Sequence, residues 1–255
     1  MAEILGKEGK GEMEKHIGVI FAGGVGTRMH SKERPKQFLE LYNKPIIIHT
    51  LDVFERCEII DAIVVVCVEP WIPHLEGLLY QFRIDKVKKV VPGGKTGQLS
   101  IYNGLLAAKE IAAGDEAVVL IHDGVRPLIS EEVLRNNVAS VKAHGSAITT
   151  AKVKETIVVV SKDGAIDYVP NRNNSRIAKA PQSFWLSDIL NAHKQALKEG
   201  KDDFIDSCTM MQHYGRHLFL VDGPYDNIKI TTPDDFYTMR AILEAKENAQ
   251  IYGYE

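Results

Sequence analysis

Cysteine is scarce in this chain of 255 residues: Cys57, Cys67 and Cys208 are odd in number and widely spaced. They form no disulfide framework, no C-x-x-C and no zinc pattern, which excludes a small stapled scaffold and suits a reducing, cytoplasmic setting. Long apolar runs are also missing; no stretch approaches the length of a membrane span. A basic excess is missing too. Lys and Arg number 31 against 34 Asp and Glu, a net charge of −3, so no overall field draws the chain to nucleic acid. Any cationic function has to be local. There is no internal repeat, low-complexity tract or linker. Met1–Lys15 is rich in Gly, Glu and Lys and has no apolar signal-peptide core. It reads as a disordered extension, with residues 16–255 as a single domain.

What is present is the pattern of a parallel sheet. Ile17–Ala22 is an apolar run of the kind a buried parallel strand needs. It breaks into Gly23, Gly24 and Gly26, where backbone N–H groups can approach an anion without a Cβ in the way. Arg28 and Lys36 follow just beyond. Strand, glycine turn and paired cations describe a loop for polyphosphate. Further strands are predicted at Ala62–Val68, Val87–Val91, Ala117–Ile121 and Leu218–Val221. Helices are predicted at Pro45–Phe54, Trp71–Phe82, Leu99–Ile111, Glu131–Ala143, Phe184–Glu199, Phe204–Tyr214 and Asp234–Gln250. The alternation implies an α/β, Rossmann-like, mostly parallel sheet with helices on both faces. Ligands in such sheets sit beyond the carboxyl ends of the strands. The glycine loop, the turn Gly93–Gly97 and the segment His122–Pro127 all lie at such ends. Three sequence-distant features therefore converge on one crevice.

Residues 147–170 are β-rich, with a hairpin turn at Lys162-Asp-Gly164. Residues 170–182 are polar and carry Arg172, Arg176 and Lys179. The stretch 150–182 is expected to contain an antiparallel arm that leaves the sheet.

Two familiar phosphate loops are excluded by single residues. A dinucleotide fingerprint counted from Gly24 needs glycine at position 29, where Met29 stands. Gly94-Lys95-Thr96 supplies the tail of a P-loop, but the glycine required five residues earlier is Lys89.

Ala22-Gly-Gly-Val-Gly-Thr-Arg-Met29 followed by Pro35-Lys-Gln37 resembles the signature of nucleotidyltransferases that make activated sugars and polyols. His122-Asp-Gly-Val-Arg-Pro127, Ala180-Pro-Gln-Ser-Phe184 and Asp226-Asn-Ile-Lys-Ile-Thr231 narrow the resemblance. It becomes the cytidylyltransferase family that contains the methylerythritol-phosphate and ribitol-5-phosphate cytidylyltransferases. The match runs from about Ile17 to Ile242 in the family's order. The resemblance implies that a phosphate oxygen of the acceptor attacks the α-phosphorus of CTP, giving a CDP-polyol and pyrophosphate. The acceptor phosphate is already anionic, so alignment and charge stabilisation are the enzyme's task.

The resemblance implies transition-state stabilisers at Arg28 and Lys36, and acceptor positioning by Arg172 and Lys229. It implies CTP contacts at Ala22, Gly23, Gly24, Gly26, Thr27, Gly94, Ser100 and Asp123. Ser100 also reads as a simple helix cap, and Arg126 as a tie for its own loop. Mg²⁺ would neutralise the triphosphate; Asp123 is the first candidate ligand and Asp226 the second, each also an ordinary turn aspartate. The arm, with Lys154 and Thr156, is implied to reach a partner subunit's site, hence a homodimer with no nucleic acid or membrane partner.

Two positions depart from the family. Gly97 stands where an arginine is usual, and Ala180 where a threonine is usual. Eight positions separate Arg28 from Lys36 where methylerythritol members tend to have seven. That spacing, Val169-Pro-Asn-Arg172 and Asp206-Ser-Cys208 resemble the ribitol-phosphate members. Asp226-Asn-Ile-Lys229 is nearer the methylerythritol form. D-ribitol 5-phosphate is the favoured acceptor and 2-C-methyl-D-erythritol 4-phosphate the alternative. A sugar-1-phosphate nucleotidyltransferase using another NTP and a non-catalytic nucleotide-binding module are the readings from other classes.

Overall fold

A computed structural model describes residues 14–22, 34–114 and 116–252 of the chain. Gly23, Gly24, Gly26, Thr27 and Arg28 of the glycine loop, with Met29, lie outside the described residues, as do residues 1–13.

The chain enters the sheet directly. Strand β1 is Lys15–Ala22, so Lys15 belongs to the fold rather than to the extension. A 3-10 turn, Lys36–Phe38, leads to a small hairpin of β2 (Glu40–Leu41) and β3 (Lys44–Pro45). Then come α1 (Ile46–Arg56), β4 (Ala62–Cys67), α2 (Ile72–Phe82) and β5 (Val87–Pro92). Next are α3 (Gly97–Ala112), β6 (Ala117–Asp123), α4 (Glu131–His144) and β7 (Ser146–Lys152). The arm holds a short antiparallel pair, β8 (Val159–Val160) and β9 (Ile166–Tyr168). It is followed by β10 (Arg176–Trp185), α5 (Leu186–Lys198), α6 (Ser207–His213), β11 (Leu220–Asp222) and α7 (Pro233–Tyr252).

Seven strands form one sheet in the order β11-β7-β10-β6-β1-β4-β5. β5, β4, β1 and β6 run parallel; β10 is antiparallel to both β6 and β7; β11 is parallel to β7. Continuous apolar runs such as Ile63-Val-Val-Val66 suit strands covered on both faces. Alternate residues divide between two cores. Ile20, Ile63, Val65 and Leu120 pack with α1, α2 and α4. Ile17, Val19, Val64, Val119 and Phe184 pack with α3, α5 and α6. This is the mostly parallel sheet with helices on both faces that the alternation implied.

Three boundaries move for local reasons. α3 starts at Gly97 because Thr96 is its cap, its hydroxyl oxygen accepting the Leu99 N–H at 3.1 Å. α6 starts at Ser207 because the Asp206 carboxylate caps it, accepting the Thr209 N–H at 2.8 Å. Phe184 and Trp185 end a strand rather than begin a helix.

That strand is the main difference from the sequence reading. The polar run expected to leave the sheet instead enters β10 at Arg176, and β10 lies between β6 and β7. Its polarity concealed it for a physical reason. Arg176–Ala178 are exposed beyond the core, while Lys179 and Gln182 are buried polar residues facing a cavity rather than an apolar layer.

Candidate active site

The carboxyl end of β6 is the centre of the site. Its residues are all buried, and it ends in His122 and Asp123. The turn that follows is fixed to β1, with Gly124 N–H donating to Phe21 O at 3.0 Å. His122 Nε2 lies 3.0 Å from Arg126 O. Burial pushes the imidazole down to about 4, against the opposing pull of the Arg126 carbonyl, so it is neutral at physiological pH.

Asp123 is buried and holds two cations at once. Arg126 Nε donates to Oδ2 at 3.0 Å, and Lys229 Nζ lies 2.6 Å from Oδ1. Burial alone would raise this carboxyl. Lys229 and Arg126 outweigh it and hold the group below the ordinary carboxylate range. Arg126 also donates through Nη1 to Asn227 O at 2.8 Å. It therefore ties the β6 turn to the loop that carries Lys229, as its reading as a tie for its own loop anticipated.

These residues line a cavity of about 270 Å³. Asp123, Arg126, Lys229, Lys179, Gln182 and Asp206 give it polar walls, and Phe21 and Ile121 give it apolar ones. Gln182 Nε2 donates to Asp206 Oδ2 at 3.0 Å and its Oε1 accepts the Cys208 N–H at 2.8 Å, which locks α6 against β10. Lys179, Gln182, Asp206 and Asn227 were not singled out by the sequence reading. Gln182, Asp206 and Asn227 stand inside quoted motifs; Lys179 lacked any signal beyond its charge.

Lys36 comes to the same place from the other end of the chain. Its Nζ donates to Ile230 O at 2.9 Å, the carbonyl next to Lys229. Its neighbour Gln37 is buried and donates through Nε2 to Ala22 O at 2.6 Å. The end of β1 is thus clamped to the segment that delivers Lys36.

The second glycine turn is built by close contact. A Cβ on Gly94 would sit 2.5 Å from Leu99 Cβ, so no side chain fits without movement. Ser100 Oγ accepts the Gly94 N–H at 3.0 Å and donates to Thr96 O at 2.9 Å. The Ser100 hydroxyl closes this turn; the cap is Thr96. Gly97, at the first of the two departures, lines the same cavity as Asp123, and so does Ala180, at the second.

Other expected residues stand apart. Arg172 opens an exposed 3-10 turn on the arm and donates through Nη1 to Lys154 O at 3.4 Å, away from the residues lining the Asp123 cavity. Lys154 packs against its own chain, with Nζ 3.9 Å from the centre of the Tyr225 ring. Thr156 is exposed on the arm. Asp226 is paired with Lys246 at 2.8 Å and faces a different, larger cavity between α1, α4 and α7. Asp123 and Asp226 therefore do not make a two-carboxylate metal site. Among the described residues no group of three His, Cys, Asp or Glu side chains is placed to hold a metal ion. With both oxygens committed to cations, Asp123 does not fit a resident Mg²⁺.

Comparison with known proteins agrees with the geometry. The family described as IspD, 2-C-methyl-D-erythritol 4-phosphate cytidylyltransferase, matches residues 17–245. A ribitol-5-phosphate cytidylyltransferase of Streptococcus agalactiae serotype III (strain NEM316) is 58% identical over 238 residues, covering 93% of this chain and 99% of that protein. Another from Vibrio parahaemolyticus serotype O3:K6 (strain RIMD 2210633) is 55% identical over 238 residues, covering 93% of this chain and all of that protein. Among solved structures, the 4-diphosphocytidyl-2C-methyl-D-erythritol synthase of Anaerococcus prevotii DSM 20548 aligns with a TM-score of 0.79 at 28% identity, covering 91% of this chain and 96% of that one. No helix among the described residues is long and apolar enough to cross a membrane. With the sheet, the Asp123 cavity and these matches together, the chain belongs to the IspD family of cytidylyltransferases.

Proposed function

We propose that the protein transfers CMP from CTP to D-ribitol 5-phosphate, releasing CDP-ribitol and pyrophosphate. The observation that carries this reading is the meeting of Lys36 with the Lys229 loop beside Asp123. In this reading two lysines far apart in the chain serve two different phosphates. The acceptor reading is supported by the relatives: identity of 55–58% to proteins named for ribitol 5-phosphate, against 38–40% to proteins named for 2-C-methyl-D-erythritol 4-phosphate.

In this reading an acceptor phosphate oxygen forms a bond to the α-phosphorus of CTP. The bond from that phosphorus to the α–β bridging oxygen breaks, and its electron pair leaves with pyrophosphate. Arg28 and Lys36 stabilise the negative charge that crowds on the α-phosphate in the transition state. Gly23, Gly24, Gly26 and Thr27 of the loop, with Gly94 and Ser100 of the second turn, shape the nucleotide site. Lys229, steered by Asp123, positions the acceptor, and Arg172 reaches it from a second copy of the chain. Mg²⁺ would enter as the ion of the Mg·CTP substrate, since among the described residues no carboxylate set is placed to hold it.

A homodimer built on the arm is part of the proposal. Val160, Ile166 and Tyr168 are 61%, 62% and 56% exposed, more apolar surface than a free hairpin needs. A cytoplasmic location, where CTP is available, is part of it too.

The test is pyrophosphate release with CTP and a panel of polyol phosphates. Ribitol 5-phosphate is expected to give the highest kcat/KM. Preference for 2-C-methyl-D-erythritol 4-phosphate would reverse the acceptor, turnover with UTP or GTP but not CTP would remove the nucleotide, and no turnover with any acceptor would leave a binding module.

A further inference from the structure

We infer that Lys179 binds the phosphate of the acceptor, an inference that rests on the transfer reaction proposed above and assigns that reaction a further binding residue. The pairing of β10 with β7 shifts register between Ala178 and Gln182. This irregularity takes Lys179 out of the ladder. Its side chain is buried, 8% exposed, in the wall of the Asp123 cavity. Nζ donates to Tyr225 O at 2.9 Å and to Asn227 O at 3.1 Å. An ammonium has three N–H donors, so one remains beyond these two carbonyls, with the centre of the Tyr225 ring 5.2 Å from Nζ.

The charge balance of the wall points to what that donor meets. Among the described residues three cations line the cavity, Arg126, Lys229 and Lys179, against two carboxylates, Asp123 and Asp206. Asp123 pairs with both Arg126 and Lys229. Asp206 is committed to Gln182 and to the cap of α6. Lys179 has main-chain carbonyls for partners and no carboxylate within ion-pair distance among the described residues. A buried cation without a counter-ion is unfavourable, and carbonyl dipoles offset it incompletely. Burial and the nearby Arg126 charge pull its proton affinity below that of a free lysine, against the opposing pull of Asp226, which lies beyond ion-pair distance. A dianionic phosphate entering the cavity supplies the missing negative charge and accepts the remaining N–H. The cavity suits a compact phosphorylated polyol better than a nucleotide.

A purely structural role for Lys179 is the competing account, since the same two hydrogen bonds tether the 225–227 loop. Lys179→Gln separates the two. Its amide keeps two donors for the carbonyls but carries no charge. Phosphate binding by Lys179 predicts that this variant raises the acceptor KM roughly 10- to 100-fold, the loss of one charged hydrogen bond, with the KM for CTP within about twofold. Inorganic phosphate, competing with the acceptor at saturating Mg·CTP, is expected to weaken in parallel, and Lys179→Arg to restore most of both. An acceptor KM and phosphate inhibition within about threefold of wild type in Lys179→Gln would overturn the inference. Should that variant not fold, wild-type crystals soaked in the acceptor or in inorganic phosphate decide the matter: the phosphate is expected within hydrogen-bond distance of Lys179 Nζ, and a phosphate seated elsewhere in the cavity refutes it. The kinetic arm runs on whichever acceptor the panel identifies. If none turns over, the proposed reaction has failed, and the phosphate soak still tests Lys179.

Discussion

Lys36 is held by a carbonyl that belongs to the loop of another cation, which makes its chemistry separable from its packing. Lys36→Ala is expected to lower kcat by about 100-fold with little change in the KM for CTP, because charge stabilisation is realised in the transition state. Steady-state kinetics with varied CTP would show it; a change confined to KM would mean that Lys36 binds substrate and does no more. At this scale the sequence was informative where a side chain meets a ligand through a short motif. Lys36, Asp123 and Lys229 each stood in such a motif, and the fold brings them together. The sequence was silent on Lys179, because its place depends on an irregularity in the ladder between distant strands, whereas Asp206 stood in a quoted motif and what could not be read was its contact with Gln182. Ser100 was legible as either ligand or cap. It proved to close the Gly94 turn, while Thr96, three residues before Leu99, carried the capping pattern.

Among the elements, α3 packs closely on the sheet at Gly104. A Cβ there would stand 2.6 Å from Val19 Cγ1 and 2.7 Å from Val66 Cγ2. Gly104→Ala gains about 1 kcal/mol of helix propensity but overpacks a rigid contact, typically costing about 1–3 kcal/mol. The expected result is a net loss of about 1 kcal/mol, lowering Tm by roughly 2–4 °C. Calorimetry of the variant checks this; a raised Tm would show that α3 can move off the sheet without penalty. The apolar strands and amphipathic helices were readable to within a few residues because burial on two faces writes itself as composition. β10 was not, since half of it borders a polar cavity and an exposed arm. A strand that serves a site loses the apolar signature by which strands are recognised.

For the molecule as a whole, two measurements follow. On the proposed dimer, Ile166→Glu on the arm is expected to give a monomer in sedimentation analysis and to remove most turnover, because the proposed reach of Arg172 into a partner's site would be lost. An active monomer would separate the arm from the chemistry. The second concerns acid. His122 and His193 are both buried, with imidazoles held down at about 4, and His193 finds no protein hydrogen bond for either ring nitrogen. Their folded-state values lie below the unfolded one, so the unfolded chain takes up protons first as pH falls below about 6.5. Stability is then fully present above that value and declines toward pH 4, by about 2 kcal/mol per histidine at pH 5. Urea unfolding at pH 7.5 and 5 should show the loss, and His193→Phe should flatten it; equal stability at the two pH values would contradict the burial of these rings. The strand order carries a last consequence, for the growing chain. β5, β4, β1 and β6 are complete once residue 123 has been made, yet β6 receives its outer neighbour only when synthesis passes Trp185. Until then the nascent half-sheet ends in a largely apolar strand with an open hydrogen-bonding edge, the kind of edge that recruits other chains. A ribosome stalled between those points would hold a fragment prone to aggregate, with the walls of its Asp123 cavity still unmade.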